Sequence, residues 1–325
     1  MTSSSYSQTA EEYFDKGNAK FNLQDYKGAI ADFTKSIELD ANRSETYNNR
    51  GNAKYKLQDT NGAFADYTKA IELDPKYVQA YCNRGIIKRN LHDYKGAFAD
   101  YAKTLELDPK YTGAYYNRGN AKDELQDYMG AIADFTKSIE LEPDSVEAYN
   151  SRGNTKCKIQ DYKGAIADYT KAIELKPKYA DSYCNRGVAK ADLQDMKGAF
   201  ADYAKALELD PKDAKAYYNR GNAKDELQDH KGAITDYNKA IELQPGLVEA
   251  YNSRGSAKLR SQDYKGAIVD YTKAIELKPE YAEAYCNRGL AKIGLGQNDS
   301  GCLDFKKAKE FGSKQASGAL KKFCQ

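Results

Sequence analysis

Apolar and small residues along the chain form pairs of stripes whose members recur at helical spacing. In residues 146–179 the first stripe contains Tyr149, Gly153 and Ile159, and the second contains Ala165, Ile166, Tyr169, Ile173 and Leu175. Steps of three and four residues place side chains on one face of an α-helix. The polar segment QDYKG separates the stripes, and Pro177 follows the second, where a helix must end because proline has no amide hydrogen. The pattern predicts two helices joined by a turn.

This helix–turn–helix pattern repeats every 34 residues. The period is visible in the prolines, at Pro75, Pro109, Pro143, Pro177, Pro211, Pro245 and Pro279. Nine units fit without an insertion, over residues 10–43, 44–77, 78–111, 112–145, 146–179, 180–213, 214–247, 248–281 and 282–315. Residues 1–9 are left as an N-terminal leader, and 316–325 are predicted to form a C-terminal capping helix. A fixed period of this length predicts an all-α solenoid rather than separate globular domains.

Glycine recurs at the eighth position of each unit, inside the first predicted helix. Gly153 is one of the nine copies. Glycine costs about 1 kcal/mol relative to alanine in a helix interior, so its repetition indicates a place where a side chain would not fit. We expect the second helix to pack closely there, with Ala165 and its equivalents as the partners.

The unit resembles the tetratricopeptide repeat. Tyrosine stands at the fourth position and glycine at the eighth, followed by alanine, an aromatic residue, alanine and proline in the second helix and after it. The resemblance covers residues 10–315. It implies antiparallel helix pairs stacked into a right-handed superhelix, an α-solenoid whose concave face is lined by the first helices. It also implies a non-catalytic scaffold for protein–protein interaction.

Two positions of the first helix depart from the family pattern by carrying cations. The seventh position is arginine in eight units and lysine in the first, and the eleventh is lysine throughout. Because an unpaired charge at a packed position is costly, a carboxylate partner is required. The aspartates from Asp32 to Asp304 have the matching register, so Arg118 is predicted to pair with Asp134, and every unit to repeat the pair. A functional basic stripe is the alternative.

Candidate ligand contacts follow from the family, whose first helices bind ligands through positions 2, 5, 6, 9, 12 and 13. Asparagine recurs at the sixth position as Asn49, Asn83, Asn117, Asn185, Asn219 and Asn287, and at the ninth as Asn52, Asn120, Asn154 and Asn222; the fifth position adds Tyr116 and Tyr218. An amide side chain both donates and accepts hydrogen bonds, so such rows suit the backbone of an extended peptide. They could instead bond to neighbouring helices or to water.

Selectivity is expected from the twelfth and thirteenth positions. Acidic pairs occur as Asp123 with Glu124 and as Asp225 with Glu226, and basic residues stand between them at Lys56, Arg89, Lys158 and Arg260. Such alternation favours a mixed-charge peptide over a polyanion.

Charge and composition narrow the choice of partner. The 50 basic and 48 acidic residues nearly cancel, which disfavours nucleic acid and anionic membranes as partners. No apolar run approaches the roughly 20 residues of a membrane helix. The N-terminal sequence has no secretory pattern, and six cysteines without close pairing indicate a reducing compartment, so a cytoplasmic location is expected.

The cysteines and histidines suggest no chemistry. Cys82, Cys184 and Cys286 lie 102 residues apart, too far along a solenoid to form disulfides with one another or to share a metal ion. Cys157, Cys302 and Cys324 follow no common register, and no role is assigned to them. No nucleophile–base arrangement, metal-ligand cluster or phosphate-binding loop can be assembled, so neither enzymatic activity nor a cofactor or metal is expected.

Two functions remain. The first is a scaffold that binds extended peptides or partner proteins of unknown identity in the concave groove. The alternative is a structural protein whose similar units stack between chains, unless the C-terminal helix blocks that contact. RNA binding is disfavoured because the inner cations have acidic partners in register.

Overall fold

The computed structural model describes residues 8–324, which form nineteen α-helices and no strand. The first helices of the nine units, and the tail helix, are α1 (Ala10–Asn22), α3 (Ser44–Lys56), α5 (Val78–Asn90), α7 (Thr112–Glu124), α9 (Val146–Lys158), α11 (Ala180–Asp192), α13 (Ala214–Glu226), α15 (Val248–Arg260), α17 (Ala282–Gly294) and α19 (Lys314–Phe323). The second helices are α2 (Tyr26–Leu39), α4 (Thr60–Leu73), α6 (Tyr94–Leu107), α8 (Tyr128–Leu141), α10 (Tyr162–Leu175), α12 (Met196–Leu209), α14 (His230–Leu243), α16 (Tyr264–Leu277) and α18 (Asn298–Glu310).

The turn between paired helices is built from the QDYKG segment or its equivalent, which is QDYMG at residues 126–130. Gln126 adopts a left-handed conformation with φ +64°, which ends α7, and the next residue, Asp127, caps α8 by accepting from the amide of Gly130 at 3.0 Å. Gly130 is required because a Cβ there would lie 2.2 Å from Oδ2 of Asp127. The polar break therefore contains the cap that starts the second helix in the first eight units, whereas α18 follows Gln297, which provides no side-chain cap.

The helices pack as hairpins along the chain. The chain divides into two compact units, Met1–Thr155 and Lys156–Gln325. Successive helices pack against one another from α1 to α8 in the first compact unit and from α10 to α19 in the second. The core of a hairpin is small, formed by alanines and one aromatic ring such as Phe33 or Tyr101, both fully buried. This architecture is an α-solenoid of helix pairs.

The eighth-position glycine packs against an aromatic ring, and not against alanine as the sequence suggested. A Cβ on Gly119 would lie 2.8 Å from Cε1 of Phe135, and one on Gly51 would lie 2.7 Å from Cε1 of Tyr67. Of the expected partner Ala63, the equivalent of Ala165, the carbonyl oxygen lies 3.3 Å from the place of a Cβ on Gly51, farther than the ring atoms of Tyr67. The ring projects farther from its helix than a methyl group does, so it makes the closest contact.

Replacing Gly119 with valine should lower the free energy of unfolding by about 2 kcal/mol, because the new side chain overlaps the buried ring of Phe135. Chemical denaturation followed by circular dichroism measures the effect. Gly318 is the matched control: it is also helical, but nothing lies within 4 Å of the place that a Cβ would take there, so Gly318→Val should change stability by less than about 0.5 kcal/mol. Equal effects of the two substitutions would contradict the packing argument.

The tail helix α19 covers the last hairpin. It begins at Lys314, two residues before the predicted 316, because α18 ends at Glu310, Gly312 turns the chain with φ +90°, and Ser313 caps the new helix. Its apolar residues pack on Phe305 and Ala308 of α18. None of the helices within residues 8–324 is long and apolar enough to cross a membrane.

A disulfide joins Cys302 of α18 to Cys324 at the end of α19, with their Cα atoms 5.7 Å apart. These two cysteines therefore have a structural role, contrary to the expectation from their positions in the sequence. They share no repeat position because α19 is not part of a repeat, and it is the return of α19 along α18 that brings them together. The absence of close pairing therefore no longer supports a reducing compartment.

Candidate functional site

The cations of the first helices are held by buried aspartates. Arg118 donates from Nε and Nη2 to Asp134 at 2.8 and 2.6 Å, and Nζ of Lys122 lies 2.8 Å from Oδ2 of the same carboxylate. The hydrogen bond to Asp134 raises the pKa of Arg118 above its usual value. Other clusters of this kind are Arg50, Lys54 and Asp66; Arg84, Lys88 and Asp100; Arg186, Lys190 and Asp202; Arg220, Lys224 and Asp236; Arg254, Lys258 and Asp270; and Arg288, Lys292 and Asp304.

In several clusters the arginine also ties its unit to the one before, and it lies over the ring of a tyrosine in its own helix. Nη1 of Arg50 donates to Oγ1 of Thr34 at 3.2 Å, and the guanidinium of Arg118 lies 5.5 Å from the ring centroid of Tyr115. The hydrogen bond uses a terminal nitrogen of the guanidinium group, and the tyrosine ring covers one of its faces. These charges therefore serve the packing of the repeats.

Asn52 has a fixed amide orientation. Its Oδ1 accepts hydrogen bonds from the hydroxyl of Tyr67 at 2.8 Å and from Nδ2 of Asn83 at 3.1 Å. Both lone pairs of the oxygen are thereby used. Neither hydrogen on Nδ2 of Asn52 has a protein acceptor within residues 8–324. Asn52 therefore presents a donor.

Asn83 has the opposite orientation. Its Nδ2 donates to Oδ1 of Asn48 at 3.0 Å as well as to Asn52, which uses both hydrogens. Its Oδ1 has no donor partner in the described part of the chain. Nearby, Asn49 donates to Oδ1 of Asn18 at 2.9 Å and accepts from Asn48 at 3.2 Å. The first three units thus join their asparagines into one network that leaves a donor on Asn52 and an acceptor on Asn83.

This network borders a small cavity, here called the aromatic pocket. Its walls are Phe21 from α1, Tyr55 from α3 and Ile86 from α5, and Asn52, Lys56, Tyr67 and Asn83 complete the lining. A second opening, lined by Asn18, Asn49, Asn52 and Phe21, adjoins it through two shared residues. Concave sites with apolar walls and a few polar groups are the usual form of ligand-binding sites.

The candidate residues of the fourth unit are partly engaged with the protein. Nδ2 of Asn117 donates to the carbonyl oxygen of Gly113 at 2.8 Å, and the hydroxyl of Tyr116 lies 3.3 Å from Oγ of Ser151. The half-buried Asn120 has no hydrogen-bond partner within residues 8–324. Within the described residues, the protein therefore holds Tyr116 and Nδ2 of Asn117 and leaves the amide of Asn120 unpaired.

The second compact unit repeats part of the asparagine pattern. Oδ1 of Asn222 accepts from the hydroxyl of Tyr237 at 2.8 Å, as Asn52 does from Tyr67, while Asn287 donates to Asn252 at 3.3 Å. Asn185, Asn219 and Tyr218 are half-buried. Asn154, near the end of the first compact unit, is exposed.

The charged residues that were expected to determine ligand selectivity differ in their contacts and in their exposure. Asp123 accepts from Thr155 at 2.8 Å, Oε1 of Glu124 lies 3.8 Å from Nε of Arg89, and Glu226 is exposed. Asp225 contradicts the expectation of a ligand-facing charge, because it is only 7% exposed.

The carboxylate of Asp225 lies between two internal partners. His230 places Nδ1 2.6 Å from Oδ1, and Arg260 donates to Oδ2. Histidine stands at the start of α14 where most units have tyrosine, and it draws the acid inward. Asp225 therefore contributes to the packing of α13 and not to selectivity.

The cysteines at the fifth position are unreactive by environment. Burial raises the pKa of the Cys82 thiol to about 12, and it does the same for Cys184. The thiolate is the reactive form of cysteine, so both are packing residues. In the described part of the chain, no three His, Cys, Asp or Glu side chains are grouped so that they could hold a metal ion.

Four residues that shape the aromatic pocket were not among the candidates predicted from the sequence. Tyr67 and Asn48 orient the amides, and Phe21 and Tyr55 form the walls. The twelfth position carries an aromatic residue only in the first two units, and this contrast with its other occupants was the available signal.

Comparison with known proteins agrees with this architecture. Profiles described as TPR repeat match residues 51–91, 153–194, 189–228 and 255–296. Profiles described as tetratricopeptide repeat match residues 113–145 and 214–247, and residues 10–43 and 78–111. No curated protein matches the sequence significantly.

Several solved structures are similar. The APC/C hetero-tetramer Cut9–Hcn1 is 14% identical, covering 100% of this chain and 79% of that one, with a TM-score of 0.61. A tetratricopeptide repeat protein from Parabacteroides merdae ATCC 43184 is 22% identical over 77% of this chain and 99% of its own, with a TM-score of 0.57. The MamA protein is 30% identical over 54% of this chain and 96% of its own, with a TM-score of 0.49.

The helix pairs, their 34-residue period and these matches define a helical repeat solenoid. The chain belongs to the tetratricopeptide repeat family. Members of this family are generally non-catalytic scaffolds for protein interaction, and the repeats of this chain support that general role.

Proposed function

We propose that the protein is a non-catalytic scaffold that binds extended peptide segments of partner proteins along its first helices. The observation that carries the proposal is the pair of free amide groups on Asn52 and Asn83. One offers a donor and the other an acceptor, and an extended peptide presents a carbonyl oxygen and an N–H that match them. Such bonds recognise the backbone and therefore tolerate many ligand sequences.

The packing of these asparagines supports preorganisation. Asn52 and Asn83 are half-buried and bonded to each other, so little side-chain freedom remains to be lost on binding. The cations at the seventh and eleventh positions are held by aspartates, so apart from Lys56 a peptide would meet a mostly uncharged surface between the ion clusters.

The test is binding of synthetic peptides, first selected on the wild-type protein from a random dodecapeptide phage library. Each hydrogen bond contributes about 0.5–1.5 kcal/mol, so the Asn52→Ala/Asn83→Ala variant should bind the selected peptides about 10-fold or more weakly. Asn61→Ala is the control, since Asn61 is exposed on α4. Undiminished binding by a double variant with wild-type helicity would refute the proposal.

Self-assembly by stacking of units is less well supported, because both ends of the array are closed. The third position of units two to nine is a buried alanine, serine or threonine, whereas the first unit has Glu12, which is exposed and completes a capping box with Thr9. A charged side chain at that position would be costly to bury against another chain. At the other end α19 occupies the face on which a further repeat would stack.

A further inference from the structure

We propose that the aromatic pocket receives one large apolar side chain of the bound peptide, and that an acidic residue beside it in the peptide pairs with Lys56. This inference rests on the proposed function, and it specifies the chemistry of the ligand at one point of the array.

The size of the pocket suits a single side chain. The cavity encloses about 120 Å³. An apolar cavity of ~150 Å³ is known to hold a benzene ring, whereas sites for drug-sized ligands are ~300–1,000 Å³. The walls, Phe21, Tyr55 and Ile86, are half-buried, so their remaining apolar surface faces water until a ligand covers it. Burial of that surface favours an aromatic or branched aliphatic group.

The walls are held in place before binding. The hydroxyl of Tyr55 accepts a hydrogen bond from Nδ2 of Asn90 at 2.8 Å, which fixes the ring from the next unit. The ring of Phe21 packs edge-on against Tyr26, with centroids 5.3 Å apart. A pocket with fixed walls needs no rearrangement to accept a side chain.

The polar groups around the pocket select an acceptor-rich ligand. Lys56 lines the pocket, is exposed, and has no salt-bridge partner within residues 8–324. The free N–H groups of Asn52 lie in the same lining. In contrast, the nearest repeat-related cation, Lys54, is already held by Asp66 at 2.8 Å. A carboxylate next to the inserted side chain would therefore meet an unneutralised ammonium group.

Only the first two units have the aromatic residues that form the walls of the pocket. Its walls Phe21 and Tyr55 occupy the twelfth position, where the later units have Arg89, Asp123, Cys157, Ala191, Asp225, Leu259 and Ile293. Two successive aromatic residues at this position occur nowhere else in the chain. We therefore expect the preference for a large apolar side chain of the peptide at the N-terminal end of the array.

The same random dodecapeptide phage library tests the inference, with selections on the full-length wild-type chain and on Lys56→Glu. The wild type should enrich peptides in which Phe, Tyr, Leu, Ile or Met adjoins Asp or Glu. Exchange of that acid for Gln in the commonest selected peptide should weaken binding about fivefold. Lys56→Glu should instead enrich Lys or Arg at the same place. Lys95→Glu, at an exposed position on α6, is the charge-matched control and should keep the wild-type preference.

The outcomes separate the two proposals. Selected peptides that depend on Asn52 and Asn83 but carry no apolar–acidic pair, or keep their acid on Lys56→Glu, would overturn the inference and leave peptide binding intact. Failure to enrich any peptide, or binding that is indifferent to Asn52 and Asn83, would overturn both.

Discussion

Replacing Asp134 with alanine is expected to lower the free energy of unfolding by about 3 kcal/mol. The carboxylate is 4% exposed and holds both Arg118 and Lys122. Removing one partner of a buried ion pair costs about 3–5 kcal/mol, because the remaining charge is left without compensation. The lower value applies here because the two cations keep about a quarter of their side-chain surface in water. Urea denaturation followed by circular dichroism measures the loss.

Two further variants separate charge pairing from mere packing. Asp144→Ala removes an exposed aspartate from the following turn and should change stability by less than about 0.5 kcal/mol. The triple variant Arg118→Met, Lys122→Met, Asp134→Leu removes all three charges together and should recover most of the stability, since well-packed apolar replacements of buried ion pairs are often neutral. A triple variant as unstable as Asp134→Ala would show that geometry, and not the unpaired charge, causes the loss.

The register of the ion clusters could be predicted because it depends on repetition alone. A cation and an acid that keep the same separation in every unit must meet in every hairpin or in none, and burial of the charges requires that they meet. The helix boundaries are similarly local, since Asp127 and Gly130 encode the start of α8 within four residues. Features that depend on the repeat or on a few neighbouring residues can therefore be predicted from the sequence.

Contacts that break the period could not be predicted in this way. Cys302 meets Cys324 because α19 leaves the repeat register and folds back along α18. Asp225 turns inward because one histidine, His230, replaces the usual tyrosine. Each result depends on a single non-repeating residue or segment, which a pattern averaged over nine units conceals.

The candidate site could be predicted only in part. The asparagine rows are visible in the sequence, but their residue type does not reveal which end of each amide remains available. That depends on Tyr67 and on Asn48, which occupy one end of Asn52 and of Asn83. The same residue type therefore serves both structure and the proposed binding, and the structural and ligand-binding interpretations of the rows are not exclusive.

Replacing Cys324 with serine is expected to destabilise the C-terminal hairpin by about 3 kcal/mol. The disulfide closes a loop of 22 residues between α18 and the end of α19, and a cross-link of that length restricts the unfolded chain by about this amount. Neighbouring units contact the hairpin only on one side, so the loss should be local. Hydrogen exchange should show faster exchange of the amides in α18 and α19, with little change in the first three units.

Thiol labelling and dye binding provide the controls for this prediction. Under denaturing conditions without reductant, iodoacetamide should label four of the six cysteines, and all six after reduction. Reductant should accelerate exchange in α19 of the wild type but not of Cys324→Ser, because the variant has no bond to lose. Release of α19 uncovers Phe305 and Ala308, so binding of a hydrophobic dye should rise in step. Labelling of six cysteines without reductant would contradict the disulfide, and unchanged exchange in α19 would show that its apolar contacts suffice to hold it.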